Sequence, residues 1–297
     1  MIGQINTLTG VHFAIAKARA YGELLKFRLS FLVAFSCAFG YVLASAHINW
    51  LSLVMIFLGG FLLSGSSVII NQIIEKDLDC LMSRTMNRPL PTQRVSVNEA
   101  ITEAVVCMAV GISILLIYSN VLTTSLAIVS MILYGFVYTP LKRVGPVAVF
   151  VGAIPGALPP LLGWTAATGS ISHEALIIFG IQFIWQFPHF WAIAWVADED
   201  YKKAGFKLLP SGGQKDLNTA IQIMIYTMFL IPMGLLPATF GITGINSAIV
   251  ATFCGVIFFA LTFSLMKSGD RRSALKIMFG SFLYLPIVQI AYLLDKV

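Results

Sequence analysis

Charge is scarce in this chain. Asp, Glu, Lys and Arg together make up 11% of its 297 residues, against about a quarter in an average soluble domain. With 58% hydrophobic residues and a mean hydropathy of +0.88, a water-soluble fold would need an implausibly large core. A soluble domain is therefore set aside in favour of a polytopic membrane protein. Cysteine is sparse as well: Cys37, Cys80, Cys107 and Cys254 are scattered, with no C-x-x-C spacing. Three read as small apolar residues within spans and Cys80 as a loop thiol, which leaves no disulfide framework. A cleavable signal peptide is missing too. Residues 1–28 instead mix Lys17, Arg19, Glu23, Lys26 and Arg28 into an amphipathic stretch, read as a cytoplasmic interfacial helix that leads into the first span.

What is abundant is long apolar runs. Segments long enough to cross a bilayer, about 17–25 residues each, fall near 29–46, 51–72, 100–118, 122–139, 146–168, 174–197, 217–237, 246–266 and 274–294. The predicted fold is an all-α polytopic membrane protein of about nine transmembrane helices. Prolines inside the runs, such as Pro155, Pro159, Pro160, Pro188, Pro232 and Pro286, are tolerable where neighbouring helices satisfy the freed backbone. Every Lys and Arg except Lys296 lies before span 1 or beside the connections 2–3, 4–5, 6–7 and 8–9, all on one side of a nine-span arrangement. The positive-inside rule puts that side, and the N-terminus, in the cytoplasm and the C-terminus outside. The net charge of +6 is thus read as topology and lipid contact at a cell (inner) membrane, with no nucleic-acid partner.

The connection between spans 2 and 3 reads NQIIEKDLDCLMSRTMNRPLP. If the helix of span 2 continues, Asn71, Glu75 and Asp79 stack at i, i+4 and i+8, while Asp77 points to the opposite side. Like charges at i, i+4 repel by a few tenths of a kcal/mol, and a divalent cation would reverse that sign. An oxygen-only ligand set favours Mg²⁺, shared between one or two carboxylates and substrate phosphates. Arg84 and Arg88, also four apart, suit bidentate binding of phosphate oxygens. The plain alternative is a solvated loop whose acids and bases merely pair.

A second acidic cluster shifts the balance. Asp198, Glu199 and Asp200 close span 6, four spans after the first. The basic loops after spans 4 and 8 are also four apart. This period suggests two four-helix halves, about 29–145 and 146–273, with a last helix at 274–294, within one integral-membrane domain of residues 29–297. Repeats of this kind place a site at their interface. Carboxylates facing each other across the bundle mouth, Glu75 and Asp79 with Asn71 from one half and Asp198 and Asp200 from the other, would hold a Mg²⁺–diphosphate. Tyr138 and Lys142 at the end of span 4, and Lys202 after span 6, would add a hydroxyl and cations to the diphosphate. A transporter is the competing class, with acids marking an ion path; the absence of a charged ladder across the spans counts against it.

These residues resemble the UbiA superfamily of intramembrane prenyltransferases. Asn71 to Asp79 looks like its N-x-x-x-D-x-x-x-D motif, with Glu75 in the first acidic place, and Arg84 to Leu90 looks like R-T-x-x-R-P-L. Tyr138–Lys142 is similar to its Y-x-x-x-K element. WQFPHFW at 185–191 and DYKKAGFKLLP at 200–210 resemble the branch that acts on haem. The second D-x-x-x-D of the superfamily is not present in that spacing.

The resemblance implies farnesyl diphosphate and haem B as substrates and Mg²⁺ as cofactor. Asn71, Glu75, Asp79, Asp200 and Lys142 would be the catalytic set, with Arg84, Arg88, Tyr138, Lys142 and Lys202 on the diphosphate. It also implies that His189, ~13.5 Å along a helix from Asp198 at 1.5 Å per residue, ligates haem iron as neutral imidazole, with Trp185 and Trp191 packing the macrocycle. A histidine satisfied within an aromatic core is the alternative. His12, His47 and His173 receive no catalytic role. The bilayer is one partner, and a downstream haem-modifying enzyme or oxidase assembly is a further candidate. The nearest rival within the superfamily prenylates a quinone or other aromatic acceptor and needs no haem ligand.

Overall fold

A computed structural model describes residues 2–297, with side chains described for residue 12 and from residue 14 onward. The part of the expected amphipathic segment that falls on the side chains of 1–11 and 13 lies outside the described residues. The order of elements is α1 (Ile2–Leu24), α2 (Phe27–Ala44), α3 (Trp50–Asp79), α4 (Val97–Tyr118), α5 (Val121–Ile132), a π-helical stretch (Leu133–Tyr138), α6 (Thr139–Leu141), α7 (Val147–Thr168), α8 (His173–Val196), α9 (Asp198–Lys203), α10 (Leu217–Thr239), α11 (Ile245–Ser268) and α12 (Arg271–Leu294). Among the described residues, nine helices are long and apolar enough to cross a membrane, with α5, the π-stretch and α6 acting as one span. The chain is a multi-pass membrane protein.

Helix starts follow side-chain capping. Asn49, Asn120, Ser172, Asp216 and Asp270 each accept a hydrogen bond from a backbone N–H of the first turn, and Ser96 forms a capping box with Glu99; both devices satisfy otherwise orphaned donors. In α3 no stop signal follows residue 72, so the helix runs on for 30 residues to Asp79. Its last two turns carry the first acidic row.

The spans close into a ring. The helix α2 packs on α3 and α7, α7 on α8, α8 on α10 and α12, and α12 reaches back to α2. The crossing of α2 and α7 is backbone against backbone: a Cβ on Gly40 would overlap the Pro160 carbonyl, and one on Gly163 the Cys37 carbonyl and the Tyr41 nitrogen. Small residues permit such approach in bilayers, where apolar burial itself supplies no force between helices.

Prolines open the ladder where polar side chains can answer. Pro160 has no N–H for the Gly156 carbonyl four residues earlier, and that carbonyl accepts from Gln182 Nε2 at 2.8 Å and Gln186 Nε2 at 2.9 Å. Gln182 Oε1 in turn accepts from Ser36 Oγ at 3.1 Å and Gln289 Nε2 at 2.9 Å. A buried polar belt thus ties α2, α7, α8 and α12 together.

Gly163→Ala is expected to force α2 and α7 apart at a cost of about 1–3 kcal/mol and to lower the thermal midpoint in detergent. Gly22 has open space around it, so Gly22→Ala should leave the midpoint unchanged or raise it. Equal midpoints for the two variants would refute the close-packed crossing.

Candidate functional site

The continued α3 places its three polar groups on one buried face. Glu75 is 4% and Asp79 0% exposed, and Asn71 is buried beside them; the Asp77 side chain, a half-turn away, is 88% exposed. Asn71 Nδ2 donates to Thr139 Oγ1 at 3.0 Å, which fixes the amide and leaves its Oδ1 as a free acceptor. Glu75 pairs with Lys142 Nζ at 2.8 Å and Asp79 with Arg88 at 2.7 Å. The second oxygen of Asp79, Oδ1, is buried with no partner.

Lys142 reaches Glu75 because span 4 changes pitch before it. Pro140 cannot donate to the preceding turn, and the helix widens into the π-stretch at Leu133–Tyr138. Such bulges often re-aim side chains at functional sites. Tyr138 is buried, with its ring 4.8 Å from Lys142 Nζ and packed on Tyr134 and Phe190. Gly152 on α7 leaves room for that ring, since a Cβ there would overlap it.

The loop after α3 is held from two directions. On one side α1 clasps it through Glu23–Arg94 at 2.8 Å and through Lys17 Nζ, which donates to the Arg94 carbonyl at 3.0 Å. On the other, Asp200 accepts from Ser83 Oγ at 2.8 Å and from the backbone N–H groups of Ser83 and Arg84 at 3.2 Å each, and pairs with Lys203 at 3.1 Å. The Ser83 hydroxyl above all, with Lys203 and the two amides, holds the Asp200 carboxyl well below the usual carboxylate range.

Asp198 is buried and paired with Lys202 at 3.0 Å and Lys215 at 3.1 Å. Neither Asp198 nor Asp200 lines the cavity that Glu75 and Asp79 line. The expected carboxylates facing each other across the mouth are therefore not brought together: the second pair spends its oxygens on loop amides, a hydroxyl and lysines. Lys202 likewise stays outside the cavity on Asp198. Among the described residues no three His, Cys, Asp or Glu side chains form a metal-holding group.

The cavity has a volume of about 520 Å³, within the usual range for small-molecule sites. Its mouth carries Lys26, Glu75, Asp79, Arg84, Arg88 and Lys142; its deeper wall is apolar and aromatic, with Gln182, Gln186 and Gln289 at one side. Arg84 sits 5.4 Å from the Tyr201 ring. Tyr201, Phe206 and Leu208 line the mouth, and the Lys207 N–H donates to the Lys142 carbonyl at 2.9 Å. The segment resembling the haem branch thus packs on Lys142 and Arg84, beside the first acidic row.

Lys26 was not singled out by sequence, and its only signal was its place at the start of span 1. It adopts a left-handed conformation, φ 45°, rare for a residue with a side chain. The junction around it is pinned by Gln72 Nε2 on the Leu24 carbonyl and Ser30 Oγ on the Leu25 carbonyl, each at 2.7 Å. Burial pushes its ammonium down to about 7, the Arg88 and Lys142 charges acting the same way and Asp79 and Glu75 opposing.

Deeper in the cavity, His189 stacks on Trp185 with ring centroids 4.3 Å apart, and both line the wall. His189 Nδ1 lies 2.9 Å from Ser281 Oγ. Trp191 does not join them. Six residues at 100° each carry it about 120° around the helix from Trp185, where it packs on Phe187 and Tyr226.

Residues 33–285 match the model of the UbiA prenyltransferase family. The chain is 52% identical over 280 residues to "Protoheme IX farnesyltransferase" of Cytophaga hutchinsonii, covering 94% of this chain and 98% of that one. Among solved structures, it is similar to a digeranylgeranylglyceryl phosphate synthase, with a TM-score of 0.78, 20% identity and coverage of 94% and 98%. It is also similar to a UbiA homolog from Archaeoglobus fulgidus bound to GPP and Mg²⁺, with a TM-score of 0.62, 17% identity and coverage of 92% and 99%. At those identities the solved structures speak for the fold.

The state of Lys26 predicts a pH effect on anion binding. Between pH 6 and 8 the side chain loses its charge, so pyrophosphate affinity should fall more for the wild type than for Lys26→Arg, whose guanidinium stays charged. Titration calorimetry of both proteins gives an affinity ratio in which the ligand's own ionisation cancels. A ratio that does not change with pH would remove Lys26 from the anion site.

Proposed function

The chain belongs to the UbiA prenyltransferase family, and on that premise we propose that it transfers the farnesyl group of farnesyl diphosphate to a vinyl group of haem B, giving haem O. It is a prenyltransferase. The name of the relative with 52% identity over nearly its whole length supports the substrates. The observation that carries the reading is one cavity with two chemistries: a cationic mouth above a carboxylate row, and a histidine stacked on tryptophan in an apolar wall.

The donor set at the mouth fits Mg²⁺. Asp79 Oδ1 is an orphaned buried oxygen, the Asn71 amide is turned to offer its Oδ1, and Glu75 lies between them on the same face. Asn71, Glu75 and Asp79 would hold the ion, which when bound neutralises diphosphate charge. Asp200 instead ties the Ser83–Arg84 loop, and Asp198 holds Lys202 and Lys215.

The protein's own residues account for the rest. Lys26, Arg84, Arg88 and Lys142 concentrate positive charge where the leaving oxygens gain negative charge, and preorganised charge of this kind is among the largest contributions to catalysis. The C–O bond breaks and the diphosphate leaves with the electron pair, giving an allylic cation. The vinyl group attacks that cation to form the C–C bond. Water then adds to the resulting cation and releases a proton, leaving a hydroxyethylfarnesyl substituent. The faces of Tyr134, Tyr138 and Phe190 can stabilise positive charge in the cavity, and the apolar wall limits capture of the first cation by water. His189 is positioned to ligate haem iron, with Trp185 against the macrocycle. The distribution of Lys and Arg supports a cytoplasmic basic face for the bundle, and the membrane in this reading is the inner one. The integral domain comprises residues 29–297, in two halves with α12 added.

Membranes containing the protein, incubated with haem B, farnesyl diphosphate and Mg²⁺, should yield haem O by mass spectrometry. Product only with a quinone-type aromatic acceptor would favour the rival within the family. Asp79→Asn is expected to lower turnover by at least about 100-fold, the scale of losing a charged group that stabilises the transition state. Near-normal turnover in that variant would refute the role of the α3 row.

A further inference from the structure

We infer that Ser281 on α12 is a positioning residue that fixes the tautomer of His189 and so presents Nε2 as a ligand to the cavity; this rests on haem being the acceptor. Ser281 is fully buried and carries three hydrogen bonds at one point of the helix. Its hydroxyl donates to the Met278 carbonyl at 2.6 Å and lies 2.9 Å from His189 Nδ1. Its carbonyl accepts from Trp185 Nε1 at 3.0 Å. A serine hydroxyl has one proton and two lone pairs. With that proton committed to Met278, the contact with His189 is closed only if Nδ1 carries the hydrogen and donates to Oγ.

The ring's other nitrogen leads to the same assignment. Among the described residues Nε2 has no hydrogen-bond partner, and the rings of Trp185, Phe190 and Phe282 pack around the imidazole. An N–H on Nε2 would be a donor without a protein partner on the cavity wall, whereas a lone pair there is the less costly vacancy. A nitrogen that bears a proton cannot bind iron. The tautomer that Ser281 selects is therefore the one competent to ligate through Nε2, the arrangement by which metal-bound histidines are usually held by a partner on the other nitrogen. The Trp185 bond to the Ser281 carbonyl keeps the indole stacked against the imidazole, so one residue on the last helix orients both members of the pair, the histidine by its hydroxyl and the tryptophan by its backbone.

The test uses the full-length protein in detergent, titrated with ferric haem B and followed by Soret absorption and electron paramagnetic resonance, for wild type, Ser281→Ala, Ser281→Thr and His189→Ala. Ser281→Ala is expected to weaken haem affinity about 10–100-fold, the usual scale for losing the partner of a metal-ligating histidine, and to reduce the histidine-ligated signal. Ser281→Thr restores the hydroxyl and should recover both, which loss of packing alone would not predict. His189→Ala should abolish the histidine-ligated signal. If His189→Ala abolishes it while Ser281→Ala matches wild type, His189 ligates without help and the inference is overturned. If His189→Ala keeps the wild-type spectrum, the ligand assignment itself fails and the inference falls with it.

Discussion

Two carboxylates buried at the end of one helix are the constraint around which the mouth of this protein is built. Removing an ion from water costs several kcal/mol even after relaxation, so Glu75 and Asp79, both almost wholly buried, must be met by cations. The cations come from outside α3. Lys142 arrives from the end of span 4, and Arg88 from the loop that follows Asp79. That loop must then be fixed, and α1 and Asp200 hold it from either side. Four segments, three of them distant in sequence, are in this way committed to one row of acids.

A second constraint acts deeper, where there is no water to pair with a stray carbonyl. The proline that frees the Gly156 carbonyl is answered by two glutamines of α8, and these are extended by Ser36 and Gln289. Satisfying the backbone therefore also lines one side of the cavity with polar groups and locks α12 against α2 and α8. The same lock fixes Ser281, which lies two turns before Gln289 on α12, beside His189.

The ion pairs at the mouth also explain how a row of acids can await a cation and a diphosphate without one. Lys142 and Arg88 compensate Glu75 and Asp79 in the resting arrangement, and both are donors that phosphate oxygens can also use. Asp79 Oδ1 is left with neither a hydrogen bond nor an ion pair. An unpaired oxygen in a buried, charged cluster is the kind of local cost that persists at a site built for a ligand.

The nine spans, the buried face of Asn71, Glu75 and Asp79 and the outward turn of Asp77 were all readable from the sequence, because hydropathy and the 100° step of a helix are local properties. Arg84, Arg88, Tyr138, Lys142, Trp185 and His189 were singled out by motif, and all six line one cavity. Tertiary structure alone decided the rest. The backbone leaves the helix at Ala197, so Asp198 and Asp200 do not continue the face of α8 and pair with loops instead. Lys26 enters the mouth through a left-handed turn that no pattern announces, and Ser281 meets His189 across 92 residues of chain. Spacing along a helix fixes which side chains share a face; which faces and loops meet is set by ion pairing and backbone satisfaction between segments far apart in sequence.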